Sequence, residues 1–122
     1  MHEVGIAEEL VRQVVAAACG MARVTEVAVD VGALQWVDSD ALRQAFDAAS
    51  QDTIAEGARL ELREVPPRAV CGACAAVYVP EELGIYVCPA CGAAEPEFVE
   101  GNDIVLVSLE CLSPEEENRE SY

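Results

Sequence analysis

Two amphipathic helical stripes, three stretches of β alternation and two Cys-x-x-Cys pairs predict an α+β chain: a small three-stranded sheet with two helices packed on it, interrupted by an inserted four-cysteine module. The first helix is predicted over about Glu3 to Met21. Leu10, Val14, Ala17, Ala18 and Met21 recur at helical spacing, Glu8, Glu9, Arg12 and Gln13 take the other face, and Gly20 lies near the end. Val27, Val29 and Val31 then alternate with Glu26, Ala28 and Asp30, as in a strand with one buried face, and Gly32 closes it.

After a loop through Gln35 and Trp36, Asp38 is the expected N-cap of a second helix with the apolar stripe Leu42, Ala45, Phe46 and Ala49. Arg43, Gln44 and Asp47 face water. Gly57 marks the turn into a second strand, in which Leu60 and Leu62 alternate with Glu61 and Arg63 until Pro66 and Pro67 end it. A third strand spans Ile104 to Leu112, with Val105, Val107, Leu109 and Cys111 expected on one face and Ile104, Leu106, Ser108 and Glu110 on the other. The domain boundaries follow: 1–66 completed by strand 102–112, an insertion over 67–100, and an acidic tail over 113–122. That tail lacks an apolar pattern and is expected to be disordered.

Cys71 with Cys74 and Cys88 with Cys91 are separated by 13 residues. Four thiolates at this spacing predict a closed tetrahedral zinc site, in which metal binding folds a segment too short to build its own core. A closed site leaves no open position for catalysis. Ligand type alone leaves iron of the rubredoxin kind open, whereas dithiol oxidoreduction would explain only one pair. The leftover Cys19 and Cys111, among apolar neighbours, are expected as buried free thiols.

Charge and length restrict the function classes. The chain of 122 residues has 23 acidic residues against seven basic ones, all Arg, for a net charge of -16, which disfavours nucleic acid and suits a basic protein surface. Glu81 and Glu82 add acid within the cysteine module. No apolar run is long enough to span a bilayer, so membrane insertion is not expected, and the start Met1-His2-Glu3 lacks a cationic leader. The expected location is the cytoplasm. The lone histidine, His2, has no nucleophile partner, and no enzyme is expected.

His2 has a different chemistry available. The Met1 amine, the His2 backbone nitrogen and its imidazole can close adjacent chelate rings around a divalent metal, a nitrogen set that suits Ni(II) or Cu(II). The residues alone leave this open against a frayed, solvated terminus.

Taken together, Met1-His2-Glu3, the strand ending Val29-Asp30-Val31-Gly32, the helix with Ala41-Leu42-Arg43-Gln44-Ala45-Phe46, the turn Ala55-Glu56-Gly57-Ala58, the paired Cys-x-x-Cys motif and Val107-Ser108-Leu109-Glu110 resemble the HypA family of hydrogenase nickel-incorporation proteins. The likeness reaches to Leu112. It implies a nickel metallochaperone passing Ni(II) to the large-subunit precursor of a [NiFe]-hydrogenase, with an accessory maturation GTPase of HypB type as partner. It also implies His2 as the nickel ligand, aided by the Met1 amine and the backbone at Glu3, and structural zinc on Cys71, Cys74, Cys88 and Cys91. Asp38 or Asp40 could approach His2, although helix capping alone is the favoured reading of Asp38. Ala33 departs from the family, which often has an acid just after the glycine matching Gly32. A monomer or weak homodimer is expected, and a zinc-ribbon docking module without a nickel site is the alternative.

Overall fold

The computed structural model describes residues 2–80 and 84–120, the last three by backbone alone. Met1, Glu81 and Glu82, singled out above, lie outside the described residues. The elements run α1 (His2–Ala17), β1 (Arg23–Gly32), a 3-10 turn (Ala33–Gln35), α2 (Ser39–Ala49), β2 (Arg59–Val65), β3 (Arg68–Cys71), β4 (Val77–Tyr78), β5 (Pro96–Glu100), β6 (Ile104–Leu112) and α3 (Pro114–Glu120). They form a mixed α+β fold with two sheets of order β2-β1-β6 and β4-β3-β5.

Two compact units divide the chain: Met1–Val29, Val37–Arg63 and Val105–Tyr122 form one, Asp30–Trp36 and Glu64–Ile104 the other. In the first, α1 packs on α2. Its core is Ala7, Leu10, Val11 and Val14 of α1, Val24, Val27 and Val29 of β1, and Leu42 and Phe46 of α2, with Ala55, Ala58 and Leu60. Complete burial of Leu42 and Phe46 contributes about 1.5–3 kcal/mol each. The stripe predicted for α2 holds, since Ala45 and Ala49 are half-buried beside these two while Arg43, Gln44 and Asp47 are exposed.

Asp38 caps α2 as its residue type predicts, with extended backbone at φ -79° and its Oδ1 accepting the Ala41 N–H at 3.1 Å. Helix α1 differs from expectation at both ends. It begins at His2 and stops at Ala17, which is exposed, because Gly20 at φ +89° lets the chain turn before Met21.

The alternation expected for β6 does not persist. Ile104 and Leu106 are half-buried while Val105 and Val107 are exposed, and the parity changes at exposed Ser108 so that Leu109 and Cys111 turn inward. Strand β6 is the edge of its sheet, and such a strand is covered incompletely. Cys111 is therefore only half-buried, and Cys19, beyond the end of α1, is exposed; neither is the buried thiol expected.

The acidic run after Leu112, read from its composition as disordered, contains helix α3. A reciprocal cap starts it: the Glu116 N–H donates to Ser113 Oγ at 3.2 Å, and the Ser113 N–H donates to Glu116 Oε1 at 3.3 Å, with Pro114 in the first turn.

In the second unit β3 is central. It pairs antiparallel with β4 (Ala69 opposite Tyr78, Val70 opposite Val77) and with β5 (Ala69 opposite Phe98, Cys71 opposite Pro96), with an irregularity between Arg68 and Ala69. Gly32 and Gly101 meet here. A Cβ on Gly32 would lie 2.3 Å from the Gly101 carbonyl oxygen, and one on Gly101, at φ +87°, would lie 2.6 Å from Pro67 Cα. Hydrogen bonds from the Gly32 N–H to the Asp103 carbonyl (2.8 Å) and from the Leu34 N–H to the Gly101 carbonyl (2.9 Å) hold this approach.

Candidate metal centre

The two Cys-x-x-Cys segments fold as the same local structure. In each, the N–H four residues after the first cysteine donates back to its carbonyl, Ala75 to Cys71 and Gly92 to Cys88, both at 2.8 Å. In each, the first cysteine's own N–H donates to the carbonyl five residues on, Cys71 to Ala76 (2.8 Å) and Cys88 to Ala93 (2.9 Å). The residue after the second cysteine is left-handed in both, Ala75 at φ +64° and Gly92 at φ +78°. Each knuckle thus presents one buried and one exposed thiol: Cys71 and Cys88 are buried, Cys74 and Cys91 exposed.

The knuckles face each other. Cys71 Sγ lies 3.6 Å from Cys91 Sγ and Cys74 Sγ 3.6 Å from Cys88 Sγ, and all four sulfurs are within 4.8 Å of one another. A tetrahedral ion with Zn–S bonds of ~2.3 Å requires sulfur separations of roughly 3.8 Å. The donor set therefore fits a four-coordinate thiophilic ion and suits structural zinc.

The electrostatics point the same way. The Cys91 N–H donates to the Cys88 sulfur and, against the effect of burial, helps draw that thiol down to about 7. At Cys91 the Ala93 N–H acts to lower the pKa, yet the thiols of Cys74 and Cys71 outweigh it and push Cys91 up to about 12. Cys74 is also raised, although the Ala76 N–H pulls it down, by its Cys88 neighbour and burial. Four sulfurs this close do not all ionise without a cation among them, and a dication removes that conflict.

Behind the thiols, Ala69, Cys71, Tyr78 and Cys88 form a buried cluster lined by Ala76, Ala93 and Phe98. Phe98 also meets Tyr86 edge-on, with ring centroids 5.0 Å apart. The Tyr78 hydroxyl is buried without a hydrogen-bond partner, and burial followed by the nearby cysteines raises its pKa. This second sheet was missed in the sequence, since strands of two to five residues held by a metal knuckle need no apolar period.

A second group of predicted residues lies at the start of α1. His2 is exposed, its Nδ1 3.9 Å from Glu3 Oε2. The Asp38 N–H donates to Glu3 Oε2 at 3.1 Å, so Glu3 joins the first turn of α1 to the N-cap of α2. That N–H, the Glu3 backbone N–H and the neighbouring imidazole hold the Glu3 carboxyl below the usual carboxylate range. His2, Glu3 and Asp38 are thus brought together as far as the His2–Glu3–Asp38 chain of contacts extends. Asp40, in the first turn of α2, is exposed.

A small α+β chain with a closed four-thiolate cluster and a histidine at the opening of its first helix defines a metal-handling protein. The chain belongs to the HypA family, whose model, described as hydrogenase/urease nickel incorporation metallochaperone, matches residues 1–111. This is a family of metallochaperones and hydrogenase maturation factors, not of catalytic enzymes, and it handles nickel. Among its relatives are the hydrogenase maturation factor HypA of Roseiflexus sp., 45% identical over 112 residues (90% of this chain, 91% of the relative), and that of Geobacter sulfurreducens, 37% identical over 110 residues (90% and 98%). The solution structure of the Ni metallochaperone HypA from Helicobacter pylori shares the fold, with a TM-score of 0.73 at 24% identity over 93% of this chain and 99% of that one. No helix among the described residues is long and apolar enough to cross a membrane.

Proposed function

We propose that this chain binds Ni(II) at its N-terminus and delivers it to the large-subunit precursor of a [NiFe]-hydrogenase, together with a HypB-like maturation GTPase, in the cytoplasm. His2 is the nickel ligand, joined by the Met1 amine and by backbone nitrogen at His2 and Glu3. Cys71, Cys74, Cys88 and Cys91 hold structural zinc. The observation that carries the reading is the position of His2, the one histidine of the sequence, as the exposed first residue of α1 in a chain of this family.

Helix geometry favours those ligands. The first N–H groups of an α-helix have no intrahelical acceptor, so nickel binding at the His2 and Glu3 backbone nitrogens breaks no ladder bond, although at Glu3 it displaces the contact that the N–H makes with its own carboxylate. The same position also weakens the site, because the positive end of the helix dipole opposes a dication. Glu3 and Asp38 offset that opposition with negative charge, and ligand protonation tips it toward release, as a delivery protein requires. Asp38 is primarily the cap of α2 and at most a supporting ligand.

Calorimetric titration of nickel into protein with a free native Met1 tests the assignment. Loss of the high-affinity event in His2→Ala and in an N-terminally extended chain, with zinc content unchanged in both, is the expected result. Equal nickel affinity in either variant would overturn it.

A further inference from the structure

Val77 and Val79 leave 56% and 59% of their surface exposed, on a sheet whose other face is packed. The register explains the asymmetry. Ala69 and Tyr78 are paired and turn inward to the cysteine cluster, so Val70 and its partner Val77 turn outward, and Val79, just beyond the end of β4, is exposed beside them in sequence. On the other side of β3, Glu97 pairs with Val70 and Glu100 with Arg68, which puts both acids on the outward face. That face is thus a patch of β-branched aliphatics bordered by carboxylates. Its cation, Arg68, is engaged by Glu100 at 3.5 Å, and residues 64–104 contain no other Arg or Lys.

Charge selects the occupant. A second copy would bring another net charge of -16 against the first. Nucleic acid and anionic lipid meet the same repulsion. A protein segment that alternates aliphatic residues with Lys or Arg meets complementary chemistry on both counts.

We propose that the outward face of the β4-β3-β5 sheet docks a basic aliphatic segment of a partner protein, with Val70, Val77 and Val79 taking its aliphatic side chains and Glu97 pairing with its cation. The proposal is independent of the nickel reading. The probe is a short synthetic peptide of alternating Val and Lys, titrated into the zinc-loaded full chain and followed by amide NMR shifts, beside a Ser-Lys peptide of equal charge. The Val-Lys peptide is expected to shift residues 70, 77, 79 and 97. Its affinity should fall roughly tenfold in Val77→Thr/Val79→Thr, less in Glu97→Gln, and roughly tenfold when Ser replaces Val in the peptide. Threonine keeps the β-branched shape at exposed positions, and unchanged zinc content shows that the variants fold. Equal binding of the Ser-Lys peptide, shifts spread over acidic residues elsewhere, or full binding by the threonine variant would each overturn the proposal. So would concentration-dependent self-association abolished by the same variant, which would make a second copy the occupant.

Discussion

The Glu3 carboxylate of α1 accepts the backbone N–H of Asp38, the N-cap of α2, at 3.1 Å. Asp38 in turn caps its own helix through Ala41, so one acid positions the other. Two roles of Asp38 can therefore be separated. Asp38→Asn keeps an effective cap and is expected to leave stability within about 0.5 kcal/mol, whereas Asp38→Ala should cost about 1 kcal/mol. Glu3→Ala should speed hydrogen exchange at the Asp38 amide without disturbing zinc content. If Asp38→Asn weakens nickel binding at unchanged stability, the carboxylate acts beyond capping; unchanged affinity assigns it to capping alone.

The difference between what the residues foretold and what they did not is one of interaction range. Asp38 and the paired cysteines act within a few residues of themselves, so spacing and residue type are enough to place them. Ser113 and Glu116 act just as locally, and Ser-Pro-Glu-Glu is a readable helix start; the acidic composition around it hid the signal. The parity change in β6 and the exposure of Cys19 depend on what covers an edge strand and a helix end, which no local pattern encodes. His2 is a third kind of case: its chemistry is visible in the sequence, but only the resemblance of the whole chain gives it weight over a frayed terminus.

Ala75 occupies in the first knuckle the left-handed position that Gly92 occupies in the second. A Cβ there costs about 1–2 kcal/mol, partly offset by the smaller chain entropy of alanine. Ala75→Gly is therefore expected to stabilise the zinc-loaded chain by about 0.5–1 kcal/mol, and Gly92→Ala to destabilise it by a similar amount. Urea denaturation of both variants checks the pair, and a loss of stability in Ala75→Gly would contradict it.

Gly32 lies against the backbone of Gly101, and no side-chain motion can relieve a contact between main chains. Gly32→Ala should cost about 1–3 kcal/mol through the shift it forces. Gly101→Ala adds a positive φ to a clash with Pro67 and should cost at least as much. In contrast Gly5, with nothing within 4 Å of an added Cβ, should accept alanine in α1 and gain up to ~1 kcal/mol. Thermal denaturation of the three variants ranks them.

Glu9 is held at about 2 by hydrogen bonds from the Arg12 side chain and then Gln13. A carboxylate whose folded pKa lies below its ordinary value of 4.5 contributes stability that is present above pH 4.5 and lost as the pH falls toward 2. The difference in stability between wild type and Glu9→Gln should shrink across that window, and Arg12→Ala should move the Glu9 midpoint up toward 4.5. Because the ion pair is exposed and screened, its contribution should also diminish in high salt. Carboxyl NMR titration at low and high ionic strength measures each shift.

Tyr78 places a hydroxyl with no hydrogen-bond partner in the buried cluster behind Cys71 and Cys88. Removing an unsatisfied buried polar group while keeping the ring returns its desolvation penalty and leaves the packing against Ala69 in place. Tyr78→Phe is accordingly expected to raise the denaturation midpoint of the zinc-loaded protein and to leave zinc affinity unchanged. The opposite result would be informative in a specific way. A lower midpoint together with faster zinc loss to a chelator would mean that the hydroxyl donates to a metal-bound thiolate once the ion is present, since such outer hydrogen bonds hold ligating atoms in place. A lower midpoint with unchanged zinc release would instead mean a packing defect at the ring, with no link to the metal.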